Sequence, residues 1–214
     1  MNTEIVKILT LQIAAIISPV IFSIALIILS QKKNASKNAF YFMIGSVLVA
    51  IIVILLGLII GKRIGPPNIH QEFGKIIDVL LIIIFIFLGL KTLFGKANTK
   101  NNISNLESLD SRKFLKIGFM INLVNLNSIV ALFAASKEIP LSSLNIPTAI
   151  LLAIFGILCF SVPVSVPLII YLIFPTKAQT ILTPINTFFT KYGKYIVGVV
   201  FMLFALYFFK EFLK

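Results

Sequence analysis

The sequence predicts an all-α, polytopic membrane protein with six transmembrane helices built as a 3+3 inverted repeat. Three observations predict it: the composition, the spacing of the apolar runs, and a likeness between the third run and the sixth. Of the 214 residues, 59% are hydrophobic and 12% are charged, whereas soluble domains are about half apolar and about a quarter charged. We therefore expect lipid, and not water, to surround most of this chain.

Six apolar runs come close to the roughly 20 residues that a helix needs to cross a bilayer. They cover residues 5–29, 39–60, 76–94, 114–135, 146–174 and 195–212. Charges near the start are limited to Glu4 and Lys7, and no small-residue cleavage site follows, so we expect an uncleaved first span. The longest connecting segment, 96–113, is polar and separates a first three-helix repeat, 1–95, from a second, 114–214.

The net charge of +12 is distributed over the connecting segments. Twelve of the 19 Lys and Arg residues lie in the segments that join runs one to two, three to four and five to six. Since cytoplasmic loops carry an excess of Lys and Arg, this bias predicts a plasma-membrane protein with both termini outside. Basic loops meet lipid headgroups, so we expect membrane lipids as partners and no nucleic acid.

The third and sixth runs predict the repeat. FGKIIDVLLIIIFIFLGLK, residues 73–91, aligns without a gap on YGKYIVGVVFMLFALYFFK, residues 192–210, and Gly-Lys and Lys recur at the two ends. Chance likeness between apolar helices is the weaker explanation. Upstream helix starts are predicted at a capping box beginning at Asn68, and at Thr183 followed by Pro184. Because three spans are an odd number, the second repeat would be inverted, as in transporters that alternate around one central site.

The fourth run carries polar residues inside the membrane. In GFMINLVNLNSIVALFAAS, at roughly 100° per residue, Gly118, Asn122, Asn125 and Ser128 share one face and Asn127 lies almost opposite. An amide without a partner in lipid costs several kcal/mol, so this face should point into the bundle or a wet cavity. It either lines a substrate path, with Asn122 and Asn125 as the better candidates, or holds helices together through amide hydrogen bonds.

The first run has a corresponding face. Gln12, Ala15, Pro19, Ser23 and Ser30 cluster on one side of the helix. Pro19 lies near the middle, lacks a backbone donor and leaves the Ala15 carbonyl without its helical partner. Such a break is tolerated only where protein or water satisfies the freed group. We interpret Gln12, Pro19 and Ser23 as path residues and Pro19 also as a hinge; a packing kink is the alternative.

The two candidate breaks correspond. Ser18-Pro19 in the first run and Asn125-Leu126 in the fourth lie at similar depth in the first helix of each repeat. An inverted repeat requires this correspondence. Ser18 therefore joins the predicted substrate path, together with Ser128 of the fourth run.

The fifth run contains SVPVSVP, with two prolines four residues apart. Pro163 and Pro167 each free a backbone carbonyl, so we expect this helix to bend near its centre and predict both as hinge residues. Ser161 and Ser165 share another face and are predicted path residues. Serines that satisfy the loosened backbone are an equally strong interpretation.

The sequence contains no cluster of residues suited to catalysis. Asp78 is the acid nearest a span interior, and we expect it to pair with Lys75 or Arg63 at the interface. His70 is a lone loop histidine, and Cys159, the single cysteine, is expected to be a packing residue. With no acid pair, histidine cluster or phosphate-binding loop, we expect neither an enzyme nor a metal or cofactor site.

Two stretches resemble a known family. IISPVIFSIALIILSQKKNASKNAFYFMIGS has Ser-Pro in the first helix, a basic loop and Phe-x-x-Gly, and FLKIGFMINLVNLNS is similar to a fourth-helix pattern of Gly followed by Asn-Pro-Lys. Both resemble the GAP family, the sulfolipid- and peptidoglycolipid-addressing proteins of the lysine-exporter (LysE) superfamily. Leu126 and Asn127 depart from the family's Pro and Lys. The resemblance implies a six-helix exporter, relatives that move amino acids, ions or glycolipids outward, and a homodimer.

The leading hypothesis is a transporter whose central site opens alternately to each side. Because its lining has amides, hydroxyls and free carbonyls but almost no charge, we expect a neutral, zwitterionic or amphiphilic cargo such as a polar lipid or glycolipid. A small amino-acid-like solute is the alternative within this class. A second class is a non-transporting scaffold, in which the segment 96–113 docks a cytoplasmic or membrane partner.

Overall fold

The computed structural model describes residues 3–31, 33–64, 71–94 and 109–212, and these residues are almost entirely helical. No strand is found among them. The helices are α1 (Thr3–Ala14), α2 (Pro19–Leu29), α3 (Ala35–Ile64), α4 (Gln71–Phe94), α5 (Lys113–Leu123), α6 (Leu126–Leu141), α7 (Ile146–Ile173) and α8 (Ala178–Phe212).

The lengths and compositions of the helices indicate a multi-pass membrane protein. By length and composition, α3, α4, α7 and α8 can each cross a bilayer. The remaining helices form two bent pairs, α1 with α2 at 48° and α5 with α6 at 74°. When each bent pair is taken as one broken span, the chain crosses six times, which is the number that the sequence predicts.

The break between α1 and α2 follows from Pro19. Its ring fixes φ and removes an N–H, which suits the first position of a helix and not an interior one. Before it, the chain turns tightly, because the Ile17 N–H donates to the Ala14 carbonyl and the Ser18 N–H to the Ile16 carbonyl. Ser18 is then the N-cap of α2 and Pro19 its first residue.

The break between α5 and α6 forms without a proline. Helix α5 ends at Leu123, and the Leu126 N–H donates to the Val124 carbonyl at 2.9 Å, which turns the chain sharply. Asn125 is the N-cap of α6. Leu126 and Asn127, where the resembling family has Pro and Lys, therefore do not prevent a break, and this one bends the chain more than Pro19 does.

Helix α8 is longer than the sequence predicts, because it begins at Ala178 and not near residue 195. The prediction that Thr183 is an N-cap is wrong. Its Oγ1 donates to the Gln179 carbonyl from inside the helix, and Pro184 lies in the helix interior. The capping box predicted at Asn68 lies outside the described residues.

Helices α4 and α8 run antiparallel along much of their length. The Phe85 ring contacts those of Phe204 and Phe208, each with centroids 5.7 Å apart. One turn further along α4, Gly89 lies against Gly198, which precedes these rings in α8. The beginning of α4 therefore lies beside the end of α8.

Glycines bring α3 and α5 into close contact. A Cβ at Gly118 would clash with the backbone of Phe42, and one at Gly45 would clash with the backbone of Leu115 and Phe119. Small residues allow helix backbones to approach closely within a membrane. This crossing holds the first half of the fourth span against the second span.

We expect Gly118→Ala to destabilise the protein by about 1–3 kcal/mol, since the added methyl group meets backbone that cannot turn aside. Gly89→Ala is the matched control, because a Cβ there would lie 3.1 Å from the flexible Met202 side chain. Helix propensity, worth about 1 kcal/mol, favours alanine at both sites. Unfolding by sodium dodecyl sulfate in mixed micelles measures the difference, and equal stability of the two variants would contradict the close crossing.

Candidate functional site

The two helix breaks meet at a partly buried position. The Asn125 Nδ2 donates a hydrogen bond to the Ser18 Oγ at 3.1 Å. Ser18 is the N-cap of α2 and Asn125 the N-cap of α6, yet neither side chain caps its own helix. The structure thus brings together two residues that the sequence predicts at equivalent places, and it joins them across 107 positions of chain.

Two helix N-termini lie together at this meeting point. The first N–H groups of a helix lack intrahelical acceptors, and the aligned peptide dipoles place about half a positive charge there. At this point α2 and α6 both begin, with their N-cap side chains in contact. Helix N-termini bind anionic oxygen groups in many proteins, so the arrangement can receive a negatively charged or strongly polar headgroup.

Two buried oxygens near the breaks have no hydrogen-bond partner within the described structure. Ser128, in the first turn of α6, is 2% exposed and its Oγ is unpaired. Gln12, near the end of α1, is fully buried: its Nε2 donates to the Leu152 carbonyl at 2.8 Å, but its Oε1 is unpaired. A buried polar group without a partner costs about 1–3 kcal/mol, so water or a ligand would be favoured at either atom.

Asn122 is buried and fixed between helices. Its Nδ2 donates to the Ser46 Oγ at 2.6 Å and to the Gly118 carbonyl at 2.8 Å. This is the geometry of amide hydrogen bonds that hold helices together, the alternative that the sequence left open. Asn127 is half-buried. Sequence reasoning missed Ser46, although the small pair Gly45-Ser46 in an apolar run was a signal for a close helix contact.

Ser23 and Ser30 connect α2 to the beginning of α8. The Ser23 Oγ donates to the Asn186 Oδ1 at 2.7 Å, and the Gln179 Nε2 donates to the Ser30 Oγ at 2.8 Å. Asn186 and Gln179 were missed because the sequence places them before the sixth span. Once α8 is extended to its observed start, both become helical residues that face the first span.

Helix α7 is continuous through Pro163 and Pro167, both of which are buried. The Ser161 Oγ donates to the Ile157 carbonyl of its own helix at 2.6 Å. Ser165 is half-buried. The hinge role of the prolines and the path role of the serines stay predictions.

Comparison with known proteins identifies the family of this chain. Residues 8–211 match the family described as Sap, sulfolipid-1-addressing protein. The chain belongs to the Sap family. The match confirms the predicted likeness to the sulfolipid-addressing proteins, and it extends over both breaks and all eight helices. No curated protein and no solved structure matches this chain.

This Sap family member also contains a charged cluster that the sequence did not predict. It consists of Lys7 in α1, Asp78 in α4, and Lys137 and Glu138 in α6. The Lys137 Nζ lies 2.5 Å from an Asp78 oxygen and 3.0 Å from a Glu138 oxygen, and the Lys7 Nζ lies 3.0 Å from the other Glu138 oxygen. Lys137 is 1% exposed. The cluster therefore ties three helices together with two charges of each sign.

The charged cluster corrects the expectation for Asp78. Its partner is Lys137, while Lys75 and Arg63 are exposed. The sequence predicts the end of the fourth span at residue 135, where the apolar run stops. The 74° bend at Asn125 means that α6 needs more residues, and it carries Lys137 into the bundle before ending at Leu141.

We expect Lys137→Met to destabilise this Sap protein by about 1.5–3 kcal/mol, because it removes charge-assisted hydrogen bonds to Asp78 and Glu138 while Glu138 keeps its pairing with Lys7. Lys75→Met is the control, since that side chain is exposed and should change stability by about 0.5 kcal/mol or less. Unfolding in mixed micelles compares the two. A larger loss of stability in Lys75→Met than in Lys137→Met would contradict the observed cluster and favour the predicted pairing of Asp78 with Lys75.

Proposed function

We propose that this protein translocates a polar lipid across the membrane, with the headgroup bound where the two broken spans meet. The hydrogen bond between Ser18 and Asn125 carries the proposal, because it joins two half-helix N-termini inside a membrane protein. Transporters bind substrates at discontinuous helices of this kind, near mid-membrane.

The order and packing of the helices support an inverted 3+3 repeat. Each half of the chain has a broken span followed by two long helices. The contacts are reciprocal: α3 contacts α6 as α7 contacts α2, and α2 contacts α3 as α6 contacts α7. Phe85 and Phe204, which align in the two repeats, touch each other, as residues beside a twofold axis would. Such a repeat would let the central site open to either side in turn.

The family description and the helix dipoles together favour an anionic amphiphile. The Sap description names a sulfolipid, a lipid with a negatively charged sulfur-containing headgroup. Two converging helix N-termini would stabilise such a headgroup without a basic side chain. This narrows the neutral, zwitterionic or amphiphilic cargo that the sequence predicts.

Two alternative functions use other features. A small amino-acid-like solute also carries a carboxylate that could bind at helix N-termini. A scaffold would depend on the segment 96–113, of which only residues from 109 onward belong to the described structure. A homodimer and membership of the LysE superfamily also stay predictions. The geometry around Ser18 and Asn125 favours transport over scaffolding, because a scaffold has no need of paired breaks.

We expect Asn125→Leu to lose the bound lipid while the protein still folds, because it removes the link between the two N-termini. Asn127→Leu is the matched control, because Asn127 lies two residues away and is predicted to lie on the opposite face. Mass spectrometry of lipids that remain with gently purified protein measures the difference. A retained amino-acid-like solute in place of a lipid would favour the alternative cargo, and identical lipid content in both variants would contradict the site.

Membrane orientation can be tested with the single cysteine removed by Cys159→Ala. Single cysteines are then introduced in place of Lys75, in the first turns of α4, and Lys177, just before α8. Both lysines are exposed. With both termini outside, we expect a membrane-impermeant maleimide to label position 75 in intact cells and position 177 only after permeabilisation. Labelling of both from the same side would contradict the six-span arrangement, and the reverse pattern would contradict the orientation alone.

A further inference from the structure

A lateral groove lies between α1 and α8, away from the meeting point of the breaks. Its volume is about 470 Å³, which is within the range of small-molecule sites. Residues that line it include Val6, Lys7, Thr10, Leu203, Phe204 and Tyr207. Val6 and Leu203 are 39% and 60% exposed on the outside of the bundle. In a bilayer, this groove would open sideways into the acyl chains.

The charge of the lateral groove is concentrated at one place. Lys7 lines the groove, and its Nζ lies 5.5 Å from the ring centroid of Tyr207. The same ammonium pairs with Glu138, whose carboxylate is also held by Lys137. If Lys7 turned toward an anion in the groove, Glu138 would keep one lysine partner and would not be left as an unpaired buried charge.

We propose that the lateral groove binds an anionic membrane lipid, with one acyl chain between α1 and α8 and the headgroup at the Lys7 ammonium. The apolar walls fit a chain, and a lysine has three N–H donors with which to bind phosphate or sulfate oxygens. Lipid binding in the groove does not depend on the proposed function. Only the step that makes this lipid the transported cargo rests on it. As a route from the bilayer, the groove would deliver lipid beside α1, the helix that leads to Ser18.

The absence of tryptophan from the chain allows a direct test. Leu203→Trp places a fluorophore in the groove, and Ile83→Trp is the control on the lipid-facing side of α4. The native side chains are similarly exposed, Leu203 at 60% and Ile83 at 56%. The protein is reconstituted into vesicles of phosphatidylcholine containing phosphatidylglycerol, with brominated chains on one lipid or the other. We expect brominated phosphatidylglycerol to be preferred about fivefold at position 203 and not at position 83.

Variants of Lys7 separate charge from packing. In the Leu203→Trp protein, Lys7→Met should abolish the preference for phosphatidylglycerol, and Lys7→Arg should keep it. With Lys7 unchanged, equal quenching by the two brominated lipids at position 203 would overturn the proposal. An absence of quenching at position 203 would also overturn it, and this result is expected if a second copy of the chain covers the groove. Because Asn125→Leu should leave the preference unchanged, failure of the central site and failure of the groove give different results.

Discussion

Hydrocarbon supplies no hydrogen bonds, so a chain that interrupts two helices inside a membrane must satisfy the exposed groups with its own atoms. In this protein the interruptions are placed together, and the amide of Asn125 bonds the hydroxyl of Ser18. The surrounding helices are arranged to make that contact. Glycines let α5 approach α3, and Gln12 fixes α1 against the Leu152 carbonyl of α7. The polar interior is therefore a consequence of joining two broken spans, and it also provides the surface on which a headgroup could bind.

The two ends of the bundle are closed by different chemistry. At the end where α1 begins, the charged cluster joins α1, α4 and α6, and Lys137 is almost fully buried there. At the opposite end, the described side chains include neutral pairs, with Gln179 bonded to Ser30 and Asn38 bonded to Gln31. Charged groups taken out of water need partners at close distance, whereas neutral groups can exchange partners at smaller cost. If the protein alternates between two conformations, opening the charged end requires the larger rearrangement.

Much of the fold could be predicted because its signals are local. A proline without an N–H marks a break wherever it falls in a long apolar run, and Pro19 does so here. The buried face of Gly118 and Asn122 could be placed from helical periodicity, because both residues lie in α5, whereas Ser128 lies beyond the break in α6. The end of α6 could not be found in this way, because its position depends on the angle of a bend that no proline announces. The same error put Lys137 in a loop and gave Asp78 the wrong partner.

The sequence by itself determined the membrane environment, the apolar runs long enough to cross it, the break at Pro19 and the residues that avoid lipid, since each follows from composition or from a period of a few residues. The tertiary structure alone decided which of those residues meet. Asn125 and Ser18 are 107 positions apart, Asn122 and Ser46 are 76 apart, and Lys137 and Asp78 are 59 apart. Helical periodicity places a side chain on a face but does not say which helix that face will contact. Only the packing of the helices, with their bends and glycine crossings, selects the partner.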